Sequence, residues 1–240
     1  MLEPRPAPAG ADYGVRIWNP DGSVAEKSGN GLRIFARWLR DERQAAESFT
    51  VATDACVVGC RATSDAVSVE MGAPSFVPAD VPVLADAELV DGPIELARVT
   101  LTATAVGLGN PHCVIFRTEP LDSLPWRQWG SELERHARFP NRTNVQIARI
   151  IDEHEVEIRI FERGAGETSA SGSSSCAVAA AGVRTGRLRA GRIRVRMPGG
   201  VLYVTVSNSG ILLEGPVEGV GRFELESVVV ARAVLALDAR

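Results

Sequence analysis

Asn19-Pro20-Asp21-Gly22-Ser23 leading to Ser28-Gly29-Asn30-Gly31, and Glu162-Arg163-Gly164-Ala165-Gly166 leading to Ser171-Gly172-Ser173-Ser174, read almost alike. Each follows an apolar, β-like run (15–18 in the first case, 156–161 in the second), passes through a glycine-rich polar turn, and opens a helical pattern (32–39; 176–183). A strand that ends in such a turn and feeds a helix points free backbone N–H groups, with the positive end of the helix dipole, at whatever precedes the helix. One such start predicts an anion pocket. Two in one chain predict two helix ends facing a single bound carboxylate, with a serine side chain, Ser28 or Ser171, on either flank. That geometry suits chemistry that takes a proton from one face of a carbon and returns one to the other.

Working outward, the 240 residues are 45% hydrophobic, enough to bury a real core in one large or two small domains. The formal net charge is −4, and basic and acidic residues alternate except in the run 184–196. That run holds Arg184, Arg187, Arg189, Arg192, Arg194 and Arg196, but it lacks interleaved aromatics and alternates like a strand, so it reads as a solvated strand and turn. No nucleic-acid partner is expected. Four cysteines without an even spacing framework argue against a disulfide-stapled secreted domain. Cys56 and Cys60 fall in one extended stretch, where their spacing puts both thiols on one side of a strand. With no partner histidine or second cysteine pair, no metal is expected, and buried thiols in a reducing cytoplasm are. The first residues carry no apolar targeting core and the run 228–230 is broken by Arg232, so no membrane partner is expected either.

Lys27 is the only lysine. A pyridoxal-phosphate enzyme needs a lysine for its Schiff base, and one beside a helix-opening turn is poorly placed for that role. Chemistry without an organic cofactor is the better expectation.

Periodicity predicts strands at 13–18, 48–53, 55–62 and 65–71 and a helix at 31–43, followed by a proline-rich stretch in which the first half ends. The order then repeats: strands near 99–106 and 113–116, a helix at 124–135, strands at 145–150 and 156–161, the helix after Ser171, and a hairpin (193–197, 201–206) turned by Pro198-Gly199-Gly200. The architecture implied is α+β: two similar halves, 1–95 and 96–240, each a mostly antiparallel sheet wrapped around one helix. Ala177-Val178-Ala179-Ala180-Ala181 is apolar on every side, as a helix enclosed by a sheet must be.

Six segments, taken in order, carry a resemblance: Asn19-Pro-Asp-Gly-Ser23, Ser28-Gly-Asn-Gly-Leu-Arg33, Gly109-Asn-Pro-His112, Phe139-Pro-Asn-Arg-Thr-Asn144, Glu162-Arg-Gly-Ala-Gly-Glu-Thr168 and Pro198-Gly-Gly200. Together they resemble the diaminopimelate epimerase family over roughly residues 8–222. The resemblance implies pseudo-symmetric halves with the active site in the cleft between them. It also implies a pyridoxal-independent, two-base epimerisation of LL- to meso-diaminopimelate, in lysine biosynthesis. Members often pair through an exposed sheet edge, so a homodimer is an expected assembly.

The family's two catalytic cysteines fall on Ser28 and Ser171. A thiol with an ordinary pKa of about 8.5 ionises readily at a helix N-terminus, whereas an alcohol does not, so a neighbouring base is needed. His112, Glu162 and Glu167 are the candidates. The family's carboxylate-binding helix starts correspond to Gly29, Asn30, Gly172 and Ser173, and its other substrate contacts to Asn19, Asn110, Asn144, Glu162 and Arg163. The family's first strand and helix, with a Gly-Asn-Asp-Phe segment, have no counterpart here. Cys176, one turn into its helix, reads as core. The alternatives are an isomerase of another small carboxylate that uses Glu or His in place of thiols, and a catalytically silent carboxylate-binding homologue.

Overall fold

The computed structural model describes residues 1–18, 22–25 and 27–221. Asn19 and the tail 227–240 lie outside the described residues. The first half contains β1 (Leu2–Arg5), β2 (Tyr13–Ile17), α1 (Gly29–Arg43), β3 (Ser48–Ala52), β4 (Val57–Ala62) and β5 (Val67–Gly72). After it come β6 (Gly92–Glu95), β7 (Thr100–Gly107), β8 (Pro111–Arg117), α2 (Trp126–Glu134), β9 (Asn144–Asp152), β10 (Glu155–Glu162) and β11 (Gly166–Thr168). α3 (Gly172–Arg184), β12 (Gly191–Met197), β13 (Gly200–Ser207) and β14 (Gly210–Gly215) complete the described chain.

The strands join in one path, β1-β2-β3-β4-β5-β14-β13-β12-β10-β9-β8-β7-β6, with β11 added beside β10. Pairing is antiparallel except for β2 with β3, β8 with β9 and β10 with β12. Those three pairs are the ones whose strands are separated in sequence by α1, α2 and α3, because a parallel pair needs a crossover long enough to hold a helix. Ser28 and Ser171 therefore stand at the start of the helix in two equivalent strand-helix-strand units, β2-α1-β3 and β10-α3-β12.

α3 contacts β7, β8, β9, β10, β12, β13 and β14, which a flat sheet cannot present to one helix, so the sheet wraps around it. Its small residues 176–181 are all buried, and their size lets the strands approach. α1 is amphipathic instead, turning Leu32, Phe35, Ala36 and Leu39 inward and carrying Arg40 and Arg43 in its last turn, at the negative end of its dipole. α2 packs on β9 and β10 over a second, smaller core. Val81, Val83, Leu89 and Ile94 belong to that core, and β14 returns from the far end of the chain to pair with β5, so neither half is a single run of sequence.

β1, β11 and β14 were not foreseen. β1 and β11 have four and three residues and need a neighbouring strand to define them, and β14, of six residues, is defined by its pairing with β13 and β5. Cys56 departs from expectation as well: it lies in the turn before β4, exposed, while Cys60, Cys113 and Cys176 are buried. The turn is closed by Thr53, whose hydroxyl accepts from the Cys56 N–H at 3.1 Å, and this lifts Cys56 out of the strand register that sequence spacing assigned to it. The arginines of 184–196 are ion-paired: Arg184 with Glu88, Arg187 with Asp91, Arg189 with Glu153, Arg192 with Glu214, and Arg194 and Arg196 with Glu155. No described helix is long and apolar enough to cross a membrane.

Candidate active site

Ser28 and Ser171 cap the two helices alike. Each is extended, and each side-chain oxygen accepts from a backbone N–H three residues on, Gly31 at 3.1 Å and Ser174 at 3.4 Å. The carbonyls of the same serines accept from Leu32 and Ser175. That leaves the N–H groups of Gly29, Asn30, Gly172 and Ser173 without a partner among the described residues, as the first turn of a helix requires.

The two starts meet. A Cβ on Gly172 would stand 3.5 Å from the Gly29 Cα and 3.5 Å from the Asn30 Oδ1. Leu213 on β14 wedges beneath both, its Cδ2 lying 2.6 Å and 2.7 Å from where side chains of Gly29 and Gly172 would begin. Only glycine admits so close an approach. Above this junction opens a cavity of about 800 Å³, within the ~300–1,000 Å³ usual for small-molecule sites. Ser28, Gly29, Asn30, Ser171, Gly172 and Ser173 form its floor, with Asn110, Asn144, Glu162 and Arg163 around the rim. Lys27, set aside in the sequence reading, also lines it.

The rim is held by buried polar groups. Glu134, at the end of α2 and 2% exposed, accepts from the Gly164 N–H at 3.0 Å and pairs with Arg135 and Arg142, which anchors the turn carrying Glu162 and Arg163. Burial works against its charge, but the Arg142 and Gly164 hydrogen bonds outweigh it and hold its carboxyl below the ordinary range. Gly164 turns at a φ of +78°, open to glycine and strained for other residues. Asn144 ties the same turn to β8: its Oδ1 accepts from the Arg163 N–H at 3.0 Å and its Nδ2 donates to the Pro111 carbonyl at 3.0 Å. One amide hydrogen is left over for a ligand.

Behind the floor, Arg33, which lines a neighbouring cavity, donates to the Asn30 Oδ1 at 3.1 Å from a site 7% exposed. Lys27, Arg163 and two helix N-termini surround the cavity with positive charge, against which Glu162 is the one carboxylate on the described wall. Glu162 and Arg163 form no ion pair with each other or with another described residue.

Two candidate bases are corrected. His112 is fully buried and off the wall, with both ring nitrogens taken: Nε2 lies 2.9 Å from the Asn110 Oδ1 and Nδ1 lies 3.0 Å from the Gln146 Nε2. Burial, chiefly, pushes its pKa down to about 3, with the Arg163 charge adding to the shift, so the ring is neutral and carries no proton to substrate. Glu167 points away to Arg127, 2.6 Å from its Nε, and the Arg127 hydrogen bond lowers its pKa. Cys176 is buried as expected, and burial pushes its thiol up to about 12. Gln146, Ser174, Glu134 and Leu213 escaped the sequence reading. Gln146 alone carried a signal, a polar residue between Val145 and Ile147 in a strand buried on both faces.

Residues 5–77 and 104–220 match the family model described as diaminopimelate epimerase. A diaminopimelate epimerase of Pseudomonas aeruginosa (strain UCBPP-PA14) is 37% identical over 220 residues, covering 90% of this chain and 79% of that one. The chain belongs to the diaminopimelate epimerase family. Its members are isomerases. Another member, diaminopimelate epimerase 2 of a Nostoc species (strain PCC 7120), is 43% identical over 202 residues, covering 82% of this chain and 70% of its own. Among solved structures, a hydroxyproline epimerase from Agrobacterium vitis superposes with a TM-score of 0.68 at 16% identity, over 92% of this chain and 73% of that one. A methylitaconate-delta-isomerase does so at 0.57 and 12%, over 94% and 83%. At such identities the likeness is one of fold, which this diaminopimelate epimerase family member shares with them.

Proposed function

We propose that this protein inverts an amino-acid α-carbon without an organic cofactor, and that LL-diaminopimelate, interconverted with the meso form, is its substrate. The observation that carries the reading is the abutment of two capped helix starts in one electropositive cavity. The substrate α-carboxylate accepts from the free N–H groups of Gly29, Asn30, Gly172 and Ser173. Loss of the α-proton spreads negative charge onto that carboxylate, where the same dipoles stabilise it. Arg163 and Asn110 take the distal carboxylate, and Asn144 holds the Arg163 backbone in place.

The two hydroxyls, Ser28 and Ser171, flank the bound α-carbon in this reading, one from each helix start. Each oxygen accepts from a cap N–H, and the Ser171 oxygen also lies 3.5 Å from the Ser173 Oγ, so the hydroxyls serve as donors to the ligand and neither serine is the base. Among the described residues of the wall, Glu162 and Lys27 are the carboxylate and the amine, one from each half. The α-proton leaves towards one of them and a proton returns to the opposite face through the other.

A second reading, a carboxylate-binding protein without turnover, is favoured by the lack of a thiol on the described wall. Incubation with LL-diaminopimelate in deuterated water separates the two. Incorporation of α-deuterium with formation of the meso isomer supports the epimerase. Saturable binding without exchange supports the silent protein, and failure to bind removes diaminopimelate from both.

A further inference from the structure

Behind the rim lies a chain of buried polar side chains that belongs to no helix cap and touches no ligand. The Gln146 Nε2 donates to the Ser174 Oγ at 2.9 Å and reaches the His112 Nδ1 at 3.0 Å, and the His112 Nε2 reaches the Asn110 Oδ1 at 2.9 Å. Gln146, His112 and Ser174 are each fully buried, whereas Asn110 is half-buried on the cavity wall. The chain therefore runs from the first turn of α3, across β9 and β8, to a side chain on the cavity wall.

Two proton arrangements fit these heavy-atom positions. In the first, the Gln146 amide donates both its hydrogens, His112 accepts at Nδ1 and carries its proton on Nε2, and Asn110 accepts at Oδ1. That leaves the Gln146 Oε1 and the Ser174 hydroxyl hydrogen without a described partner. In the second, every bond is reversed: the Gln146 oxygen accepts from Ser174 and from His112 Nδ1–H, and Asn110 donates to Nε2. The orphan is then an NH2 group with two buried hydrogens. Two buried N–H hydrogens without acceptors cost more than one hydroxyl hydrogen and one carbonyl oxygen, which is the more tolerated orphan, so the first arrangement is the stable one.

We propose that Gln146, acting with Ser174 through His112, is a positioning residue that locks the Asn110 amide with its oxygen inward and its NH2 towards the cavity. So held, Asn110 presents only donors. It favours an anionic oxygen at that point of the ligand and disfavours an ammonium, which would need the oxygen that His112 already occupies. The selectivity rests on the carboxylate-binding reading above; the orientation does not. His112, which sequence comparison offers as an acid or base, is a rigid link in this account. Its low pKa, pushed to about 3 mainly by burial, keeps it neutral and the relay intact across the physiological range.

The test has two arms. Nitrogen-15 spectra of the histidine-labelled full chain report the His112 tautomer directly, with no ligand present. The expected result is the neutral Nε2–H form, unchanged from pH 5 to pH 8; an Nδ1–H form or an imidazolium overturns the proposal. Calorimetric titration with LL-diaminopimelate then compares variants whose thermal midpoints are measured alongside. Gln146→Met and His112→Leu are expected to lose about tenfold in affinity, and His112→Gln, which restores a donor to Asn110, to stay within about threefold of the parent. Equal losses in all three variants, or none in Gln146→Met, overturn it. If the parent chain fails to bind diaminopimelate, the proposed substrate is wrong, and the tautomer measurement alone decides the orientation.

Discussion

Replacing Gly172 by alanine tests whether the two helix starts converge on Leu213. The added Cβ would lie 2.7 Å from the Leu213 Cδ2, against the ~3.5–4.0 Å at which two carbons rest. About 1 Å must be recovered by moving a fully buried leucine or by parting the two N-termini. Overpacking of this kind costs about 1–3 kcal/mol. Leu213→Val withdraws the offending methyl and costs about 1 kcal/mol by itself, as deletion of a buried methylene does. In the double variant the clash is gone, so its loss should be smaller than the sum of the single losses by about 1–2 kcal/mol. Gly29→Ala should couple to Leu213→Val in the same way, because its Cβ would meet the same atom at 2.6 Å. Urea unfolding of the four chains, with diaminopimelate binding measured in parallel, reads both consequences. Strict additivity, or a Gly172→Ala chain as stable as the parent, would show that the helix starts do not share this wedge and would refute the geometry on which the cavity depends.

Three further outcomes are expected. Ser28→Cys with Ser171→Cys should raise α-proton exchange by at least tenfold, since a thiol at a helix N-terminus ionises near neutral pH and an alcohol does not; unchanged exchange in a chain that still binds substrate counts against the proposed chemistry. Titration of the native protein with an aromatic disulfide should modify Cys56 quickly and the other three thiols only on unfolding, because burial pushes Cys60, Cys113 and Cys176 each up to about 12; a second fast thiol contradicts the core as described. Glu134 has a folded pKa held below the ordinary 4.5, so its contribution is full at neutral pH and is lost as pH falls below that value through the folded pKa. Glu134→Gln should therefore flatten the fall in thermal midpoint between pH 5 and pH 3, and an unaltered slope would show that other carboxylates govern it.

Much of the fold was legible because it is local. The alternation of β10, the all-apolar α3 and the glycine-rich turns before both helices are periodic features that a chain displays without knowing its partners. So were the floor residues of the cavity, since a serine cap followed by glycine declares a helix start wherever it occurs. The rim was read less well. His112 and Glu167 have the right chemistry and stand close in sequence to residues of the wall, yet one is sealed among Asn110, Gln146 and Arg163 and the other is turned to Arg127. Cys56 kept its strand spacing but lost its strand to the Thr53 turn.

By itself, then, the sequence determined that two strand-turn-helix units exist and that each ends in free, anion-seeking N–H groups. That those groups face one another was decided by tertiary structure, through β14 returning to β5 and setting Leu213 beneath both glycines. The same holds for which titratable groups reach the ligand. Short-range pattern encodes backbone conformation, whereas proton chemistry depends on burial and on hydrogen-bond partners more than thirty residues away, as His112 and Gln146 are from each other.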